Sequence, residues 1–445
     1  MTTEEKVMNR WIVVIGAILI QLALGTIYTW GTMTIFVTPY LNVYSPEAVE
    51  STATVYIFGL GLLSFAITMI FAGQLQQKIG PKKTALIGAV VLGAGMFLSA
   101  GMTSLIGMLI SYGILFGAGI GFGYVTPIAC AAKWFPDKKG FINGIAVAGF
   151  GAGSFIFNYV IKGIANPANL EVNDPNFVAD VSKNIPLLFV VLGIIYIILI
   201  VVGALTLNNP PEGWTPEGWT PPAPKEGSVA SGLDFSRNEI VKFPQFWYLW
   251  LMFILSAISG LMVIGSYASF AKSVDASDNF IYVIGVSDFV LIGSLAALFN
   301  GLGRIAWGKM ADILNYKKAM LLMFSIQSVL MFLYFTTNID VIYFTIITCA
   351  IYFCFGGNFS LFPTATTDLF GAKYLGANYG IVFTAYGIAG FIGATMVNTF
   401  VTLFGGYLVL FIIMGCMSVG AAILTFIIQP PKSPENTLTG EPRLR

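Results

Sequence analysis

The sequence predicts an all-α polytopic membrane protein whose twelve transmembrane helices form two pseudo-symmetric six-helix halves. Of its 445 residues, 57% are hydrophobic and only 10% are charged, whereas about a quarter of the residues in soluble domains are charged. Apolar runs long enough to cross about 30 Å of hydrocarbon occur twelve times along the chain. Short motifs from the first half recur in the second at one spacing, which indicates an internal repeat.

The apolar runs come as six before and six after a segment that must lie in water. They span approximately 11–37, 53–74, 84–105, 107–132, 140–162, 185–206, 245–270, 281–308, 319–337, 340–367, 376–403 and 406–429. The segment between the sixth and seventh runs is rich in proline, glycine and charge. We therefore predict an N-terminal six-helix bundle at 1–206, a cytoplasmic central loop at 207–243, a C-terminal six-helix bundle at 244–430 and a cytoplasmic tail at 431–445. The first run is full-length and has no small-residue cleavage site, so we expect it to be retained.

Three motifs repeat between the halves. GQLQQKIGPKK begins at Gly73 and GKMADILNYKK begins at Gly308, which is 235 residues later. Pro127 of GFGYVTPIA and Pro363 of GNFSLFPTA are 236 residues apart, and GFINGI and GANYGI share that offset. A parallel repeat of six-helix units is typical of folds in which a site lies between the halves near the bilayer midplane.

The distribution of basic residues predicts the orientation. If the N-terminus is cytoplasmic, 18 of the 22 lysines and arginines lie on the inner side. Lys162, Lys183 and Lys272 lie on the outer side, and Arg304 lies within a run. This asymmetry predicts a multi-pass protein of the plasma membrane with both termini cytoplasmic. We expect a monomer.

Arg304 is the most unusual residue of the chain, because it lies inside the eighth apolar run. A charge at membrane depth costs about 2.5–3.5 kcal/mol on insertion scales, so it needs a buried partner, a wet cavity or an anionic ligand. Asn300 lies one helical turn earlier on the same face. Asp288 is sixteen residues away, about 24 Å along the helix, and cannot pair with it. Arg304 is therefore either tied to backbone carbonyls between helices or part of a carboxylate-binding site.

Several classes of function are excluded by composition. The chain has no histidine, and its four cysteines lie in apolar runs without CxxC spacing. No nucleophile–base pair or metal cluster appears, so we predict neither an enzyme nor a bound cofactor or metal. The net charge is +1 and there is no basic tail, so we expect the lipid bilayer, and not nucleic acid, as the large partner.

The loops after the second and eighth runs fit the pattern G-x-x-x-[DG]-x-x-G-x-[RK], and here the chain resembles the major facilitator superfamily. The matching loop residues, which this resemblance links to conformational change, are Gly73, Gly80, Lys82, Gly308, Asp312 and Lys317. The first copy has Gln77 in place of the usual acid, and the second has Asn315 in place of the second glycine. GTIYTWGTMTIF, the doubled GWTP and NGLGRIAWG narrow the resemblance to the oxalate/formate antiporter group and its monocarboxylate-transporter relatives, over nearly the whole chain.

The resemblance implies a role for Arg304 and raises two departures. An arginine at this point of the eighth helix anchors the substrate carboxylate in these transporters. Asn300 stands where animal monocarboxylate transporters carry an acid implicated in proton coupling, and an amide cannot ionise. Tyr386 stands where oxalate/formate exchangers have a lysine. Because a dianion would leave one charge unpaired against a single arginine, we expect a monocarboxylate.

Further candidates for the site are aromatic residues, which offer flat apolar walls and, in tyrosine, a hydroxyl group. They are Tyr28, Tyr124, Tyr352, Phe355, Phe383 and Tyr386. Each tyrosine alone is equally compatible with ordinary packing. Asp288 is a candidate for proton coupling, or else a hydrated residue at the outer mouth.

These observations predict a secondary active transporter of small monocarboxylates such as lactate, pyruvate, acetate or formate. Arg304 anchors the carboxylate, and transport is coupled to a proton by symport through alternating access. The alternative is carboxylate exchange of the oxalate/formate type without a proton. A non-transporting sensor or partner-binding protein is the third hypothesis, and the short C-terminal sequence after the last run argues against it.

Overall fold

The structure is a computed structural model, and it describes residues 8–45, 48–137, 139–211, 214–218, 234–275, 285–371 and 374–431. These residues form helices and no strands, and twelve helices are long and apolar enough to cross a membrane, which confirms the predicted fold class. In chain order they are α1 (Arg10–Tyr44), α2 (Ser51–Ile79), α3 (Pro81–Ser99), α4 (Leu105–Trp134), α5 (Gly144–Ala165), α6 (Phe177–Leu205), α7 (Pro244–Ser273), α8 (Val286–Leu314), α9 (Tyr316–Thr337), α10 (Val341–Phe370), α11 (Leu375–Phe404) and α12 (Leu408–Ile427).

The helices extend beyond several of the predicted apolar runs. The largest difference is at α6, which begins at Phe177 and not near residue 185. The added turns are polar on their exposed side, but Phe177 and Val181 are buried, so packing continues the helix past the apolar run. Most of the central loop and of the C-terminal tail lies outside the described residues, and the four-part division stays a prediction.

The backbone carries the predicted repeat. Gly80 joins α2 to α3 with φ 86° and ψ 164°, and Asn315 joins α8 to α9 with φ 74° and ψ 161°. Few residues other than glycine adopt positive φ, and asparagine is among the most tolerant of them. The Asn315 side chain also accepts a hydrogen bond from the Lys318 amide at 3.0 Å. The asparagine that departs from the motif therefore builds the same junction as the glycine.

The motif residues have different surroundings in the two copies. Lys317 donates to the carbonyls of Phe426 at 3.0 Å and Ile428 at 2.9 Å, so it ties the start of α9 to the end of α12. Lys82 is half-buried in the first turn of α3, and Asp312 is exposed in the last turns of α8. Gly73 has open space beside it, and Gly308 faces Ser360 of α10.

The helices divide into a buried set and a lipid-facing set. Among the twelve, α7 and α1 are the most buried, and α6, α9 and α12 are among the least. Large apolar side chains are exposed on the outer helices, and they include Val90, Ile198, Val202, Val329, Ile423 and Phe426. Exposed apolar side chains on helices whose backbone groups are internally satisfied are what a hydrocarbon environment requires.

Small residues form the seams between the first six and the last six helices, along α2–α11 and α5–α8. A Cβ at Gly59 would lie 2.8 Å from the Gly390 carbonyl, and one at Gly151 would lie 3.2 Å from the Gly301 Cα. Such residues allow helix backbones to approach closely in a membrane.

The small-residue stripe predicted on the eighth helix does not serve a single neighbour. Gly301 and Ser287 face α5, where Lys162 donates to the Ser287 hydroxyl at 2.8 Å, while Gly308 faces α10. The tightest glycine contact of α8 is off the stripe, where a Cβ at Gly303 would overlap the Phe353 carbonyl of α10.

Two central helices are irregular at the middle of the bundle. Gly25–Thr29 of α1 is a 3₁₀ helix, and α11 is interrupted at Phe383 between Leu375–Val382 and Thr384–Phe404. Thr26, Thr29 and Thr384 each donate a hydroxyl hydrogen bond to a carbonyl three residues earlier. Irregular backbone at membrane depth is tolerated where neighbouring groups satisfy it, and it often marks a functional position.

The irregular part of α1 depends on Gly25. A Cβ at this position would overlap the backbone carbonyl of Phe150 in α5. We expect Gly25→Ala to push α1 away from α5 and to lower stability by about 1–3 kcal/mol, which is typical of overpacking. Thermal denaturation of the purified protein in detergent would measure the loss. Gly163→Ala is the matched control, because no atom lies within 4 Å of a Cβ there; equal melting of the two variants would contradict the prediction.

Candidate functional site

Arg304 of α8 is buried between the two sets of six helices, with 2% of its surface exposed. Its Nε and Nη2 groups donate to Asn300 Oδ1 at 3.3 and 3.1 Å, and Nη1 donates to the Val147 carbonyl of α5 at 3.2 Å. The Asn300 amide nitrogen donates in turn to the Tyr352 carbonyl of α10 at 3.3 Å. Three bonds use three of the five guanidinium N–H groups, and two N–H groups are the number that a bidentate carboxylate needs.

Aromatic rings from both sets of helices contact the guanidinium group. Its carbon lies 4.2 Å from the ring centre of Phe359 in α10 and 5.5 Å from that of Phe150 in α5. A desolvated cation–π contact is worth roughly 2 kcal/mol, so these rings offset part of the cost of burying the charge. The hydroxyls of Tyr28 and Tyr124 are close enough to feel the charge of Arg304.

The Tyr28 and Tyr386 hydroxyls join the two sets of helices at this level, with their oxygens 2.8 Å apart. Tyr28 lies in the 3₁₀ segment of α1, and Tyr386 lies one turn after the interruption of α11. Both side chains are almost fully buried. The two backbone irregularities therefore place two hydroxyl groups in contact beside the arginine.

The remaining rings form a continuous wall, which we call the aromatic chamber. Phe383 lies 4.9 Å from Tyr386 and 5.7 Å from Tyr124 between ring centres, and Phe355 lies 5.9 Å from Tyr28. Further rings of the chamber are Phe65, Phe150, Phe253 and Phe359. The chamber thus combines one cation, several phenol hydroxyls and apolar surfaces.

No carboxylate in the described part of the chain pairs with Arg304. The one ion pair found there joins Arg10 to Asp137 at 2.8 Å, at the opposite end of the first six helices from Lys162. Asp288 accepts a hydrogen bond from the Gly285 amide at 3.0 Å and so caps the start of α8. A buried arginine with only neutral partners attracts an anion more strongly than a paired one would.

Most of the predicted residues meet in one place. Arg304, Asn300, Tyr28, Tyr124 and Tyr386 lie together, with Phe355 and Phe383 in the wall. Tyr352 differs, because its backbone carbonyl accepts from Asn300 and its ring makes no described contact with the chamber rings. Asp288 lies at the far end of α8, apart from Arg304.

Sequence reasoning missed several residues of the site. Phe359 is four residues after Phe355 on the same face of α10, so helical spacing contained a signal for it. Phe65, Phe150 and the Val147 carbonyl come from other helices and carry no local signal. Gln21 of α1 was also missed; its amide donates to the Tyr124 carbonyl at 3.1 Å.

The chamber is closed at the end that carries Lys162 and Gly285, called the outer end here from the predicted orientation. Tyr267 of α7 donates to the Phe289 carbonyl at 2.9 Å, so Thr32 of α1 donates its own proton to Tyr267. The Val286 amide of α8 donates to Glu171 at 2.9 Å. Within the described residues, every hydrogen bond between the two sets of helices lies at the level of Arg304 or outward of it.

Comparisons with known proteins agree with this architecture. A family model described as Major Facilitator Superfamily matches residues 8–394. The chain is 28% identical over 425 residues to an oxalate:formate antiporter of Oxalobacter formigenes, covering 94% of this chain and 92% of that protein. Apicoplast pyruvate carrier 1 of Toxoplasma gondii is 26% identical over 456 residues, covering 86% and 82%. An uncharacterized MFS-type transporter of Escherichia coli (strain K12), YhjX, is 29% identical over 393 residues, covering 87% of each.

The predicted resemblance is therefore confirmed, both by the family match across most of the chain and by the antiporter relative. The twelve helices and the repeated loop junctions agree with it. The protein is a membrane transporter and not an enzyme, and the chain belongs to the Major Facilitator Superfamily.

Proposed function

We propose that the protein is a secondary active transporter of small monocarboxylates such as lactate, pyruvate, acetate and formate. The observation that carries the proposal is Arg304, a buried guanidinium group without a carboxylate partner among the described residues. A ligand carboxylate would engage it through two charge-assisted hydrogen bonds. An oxalate:formate antiporter and a pyruvate carrier among the relatives support carboxylates as the substrate class.

The chamber suits one negative charge on a short carbon chain. Arg304 is the only charged residue among those that form it, so a second carboxylate would be buried without a cation. The Tyr28 and Tyr386 hydroxyls are placed to bond the oxo or hydroxyl group of pyruvate or lactate. The rings of Phe359 and Phe383 offer surfaces for its carbon atoms.

We propose that transport proceeds by alternating access, with the two six-helix halves rocking about the site. The outer contacts of Tyr267 and Glu171 would break when the outer side opens. The Tyr28–Tyr386 hydrogen bond would be replaced by bonds to the substrate. We further propose a monomer in the plasma membrane with both termini in the cytoplasm.

We propose coupling to a proton, which would balance the negative charge that enters with the substrate. The proton would not bind an acid beside Arg304, because Asn300 occupies that position and no carboxyl group contacts the guanidinium in the described residues. This same observation favours a second candidate, carboxylate exchange without a proton. Asp288 is the proposed proton site for symport, although it lies apart from the chamber.

Uptake into proteoliposomes tests the function and separates the two candidates. Labelled lactate, pyruvate, acetate, formate and oxalate would each be offered with an inward proton gradient, with preloaded counter-substrate, or with neither. We expect saturable uptake of monocarboxylates above that of oxalate, driven by the proton gradient in empty vesicles. Uptake that requires preloaded substrate and ignores pH would support exchange. If every acid enters no faster than with Arg304→Ala, carboxylate transport is wrong.

A further inference from the structure

A second polar cavity lies at the outer end of the bundle, outside the aromatic chamber. Its volume is about 210 Å³, and its walls come from α1, α2, α6, α7 and the residues just before α6. One liquid water takes about 30 Å³, so the cavity has room for a short carboxylate with hydration water. Lys272 of α7 is its only charged lining residue.

The lining is positive and rich in hydroxyl and amide groups. Thr34, Thr38, Asn42 and Ser51 line the side opposite Lys272. The Lys272 ammonium group lies 6.0 Å from the ring centre of Phe289, and no carboxylate in the described residues pairs with it. A half-buried lysine without an anion in a neutral polar cavity is an attractive site for one.

The cavity is placed directly outside the outer closure. Thr32, which bonds Tyr267, is two residues inward of Thr34 on α1. Lys272 is five residues outward of Tyr267 on α7 and approaches Phe289, whose carbonyl accepts from Tyr267. An anion arriving from the outer side would therefore meet Lys272 before the closure opens toward Arg304.

We infer that the Lys272 cavity is an outer capture site for small carboxylate anions, which it holds before they pass to Arg304. The inference rests on the proposed function, since it assigns the first station of the same substrate's path. Along α1, Thr34–Thr38 lies six to ten residues outward of Tyr28, about 9–15 Å at 1.5 Å per residue. A cation at that distance from the chamber raises the local anion concentration without occupying the Arg304 site.

The role predicts a specific kinetic signature. One charge about 6 Å from a carboxylate in a half-open cavity changes its occupancy about threefold to tenfold. The effect falls as ionic strength rises, because salt screens exposed charges. Lys272 therefore affects KM for outside substrate at low salt, and leaves the maximal rate unchanged.

The test is uptake of labelled pyruvate by intact cells at low and high ionic strength. We expect Lys272→Gln to raise KM about threefold to tenfold at low salt and to abolish its salt dependence, with Lys272→Arg restoring both. Lys183→Gln is the matched control, because Lys183 is an exposed outer-side lysine outside the cavity. An unchanged KM and salt dependence in Lys272→Gln overturns the inference.

A second arm distinguishes substrate from lipid phosphate as the bound anion. The same variants would be compared in vesicles of phosphatidylcholine alone and with added phosphatidylglycerol. Capture of substrate predicts a KM effect in phosphatidylcholine alone, whereas an effect seen only with the anionic lipid assigns Lys272 to a headgroup and overturns the inference. Arg304→Ala is measured alongside. Absent pyruvate uptake by the unaltered protein refutes the proposed function and the capture site with it, whereas uptake that depends on Arg304 but not on Lys272 refutes the capture site alone.

Discussion

Arg304→Ala is expected to reduce carboxylate uptake at least about a hundredfold, to the level of empty vesicles. The variant loses both charge-assisted hydrogen bonds to the substrate, worth about 1.5–3 kcal/mol each. A loss of about 2.8 kcal/mol corresponds to a hundredfold in affinity. Arg304→Lys is expected to retain little activity, because an ammonium group cannot reproduce the planar bidentate pairing. Initial rates of labelled pyruvate uptake would measure both losses.

Thermal denaturation separates lost binding from lost folding in these variants. Because Arg304 is a buried charge without a carboxylate partner, Arg304→Ala should not lower the melting temperature greatly, and pyruvate should no longer raise it. Lys309→Ala is the matched control, since it removes an exposed cation from the same helix. Near-normal uptake by a folded Arg304→Ala variant would contradict the proposed anchor.

Tyr386→Lys is expected to shift the substrate preference from monocarboxylates toward dicarboxylates. The new ammonium group would lie in the aromatic chamber, where the Tyr386 hydroxyl now lies 2.8 Å from that of Tyr28. With a monocarboxylate bound, one of two buried cations would stay unpaired, at a cost of several kcal/mol. We expect at least a tenfold loss of pyruvate uptake and measurable uptake of oxalate, both followed with labelled substrates.

Two controls isolate the effect of the new charge. Tyr386→Met has a similar chain length without the charge, and Tyr386→Phe keeps the ring but loses the hydroxyl contact with Tyr28. Neither is expected to transport oxalate. A Tyr386→Lys variant that folds, transports pyruvate normally and refuses oxalate would show that this position does not select the number of charges.

The proposed site also relates the loop motifs to transport. The Gly80 and Asn315 junctions have nearly the same backbone angles, although one is the family's glycine and the other is not. Conservation of conformation at both junctions agrees with halves that move as similar units. Lys317 adds a tie between α9 and α12, which joins helices within the second half only.

Several features of the site were predictable because their signals are local. The twelve spans follow from runs of apolar residues, and the repeat follows from motifs at one offset. Arg304 was recognisable because a charge inside such a run is costly wherever the helix packs. Asn300 followed from helical spacing, and their hydrogen bonds at 3.1–3.3 Å agree with it.

The partners of those residues were decided by the tertiary structure alone. Phe150 and the Val147 carbonyl reach Arg304 because Gly151 and Gly301 let α5 and α8 approach closely. Tyr28 and Tyr386 are 358 positions apart, and they meet because α1 and α11 are irregular at matching depth.

The sequence by itself thus determined the class of protein, the number of spans and the buried cation, since hydrophobic length and charge act within one helix. The tertiary structure decided which neutral groups surround that cation, and it separated Tyr352 and Asp288 from the chamber. Contacts between helices depend on where each helix bends and how closely its neighbours approach. Those distances are set by packing across the bundle, and no single run of residues encodes them.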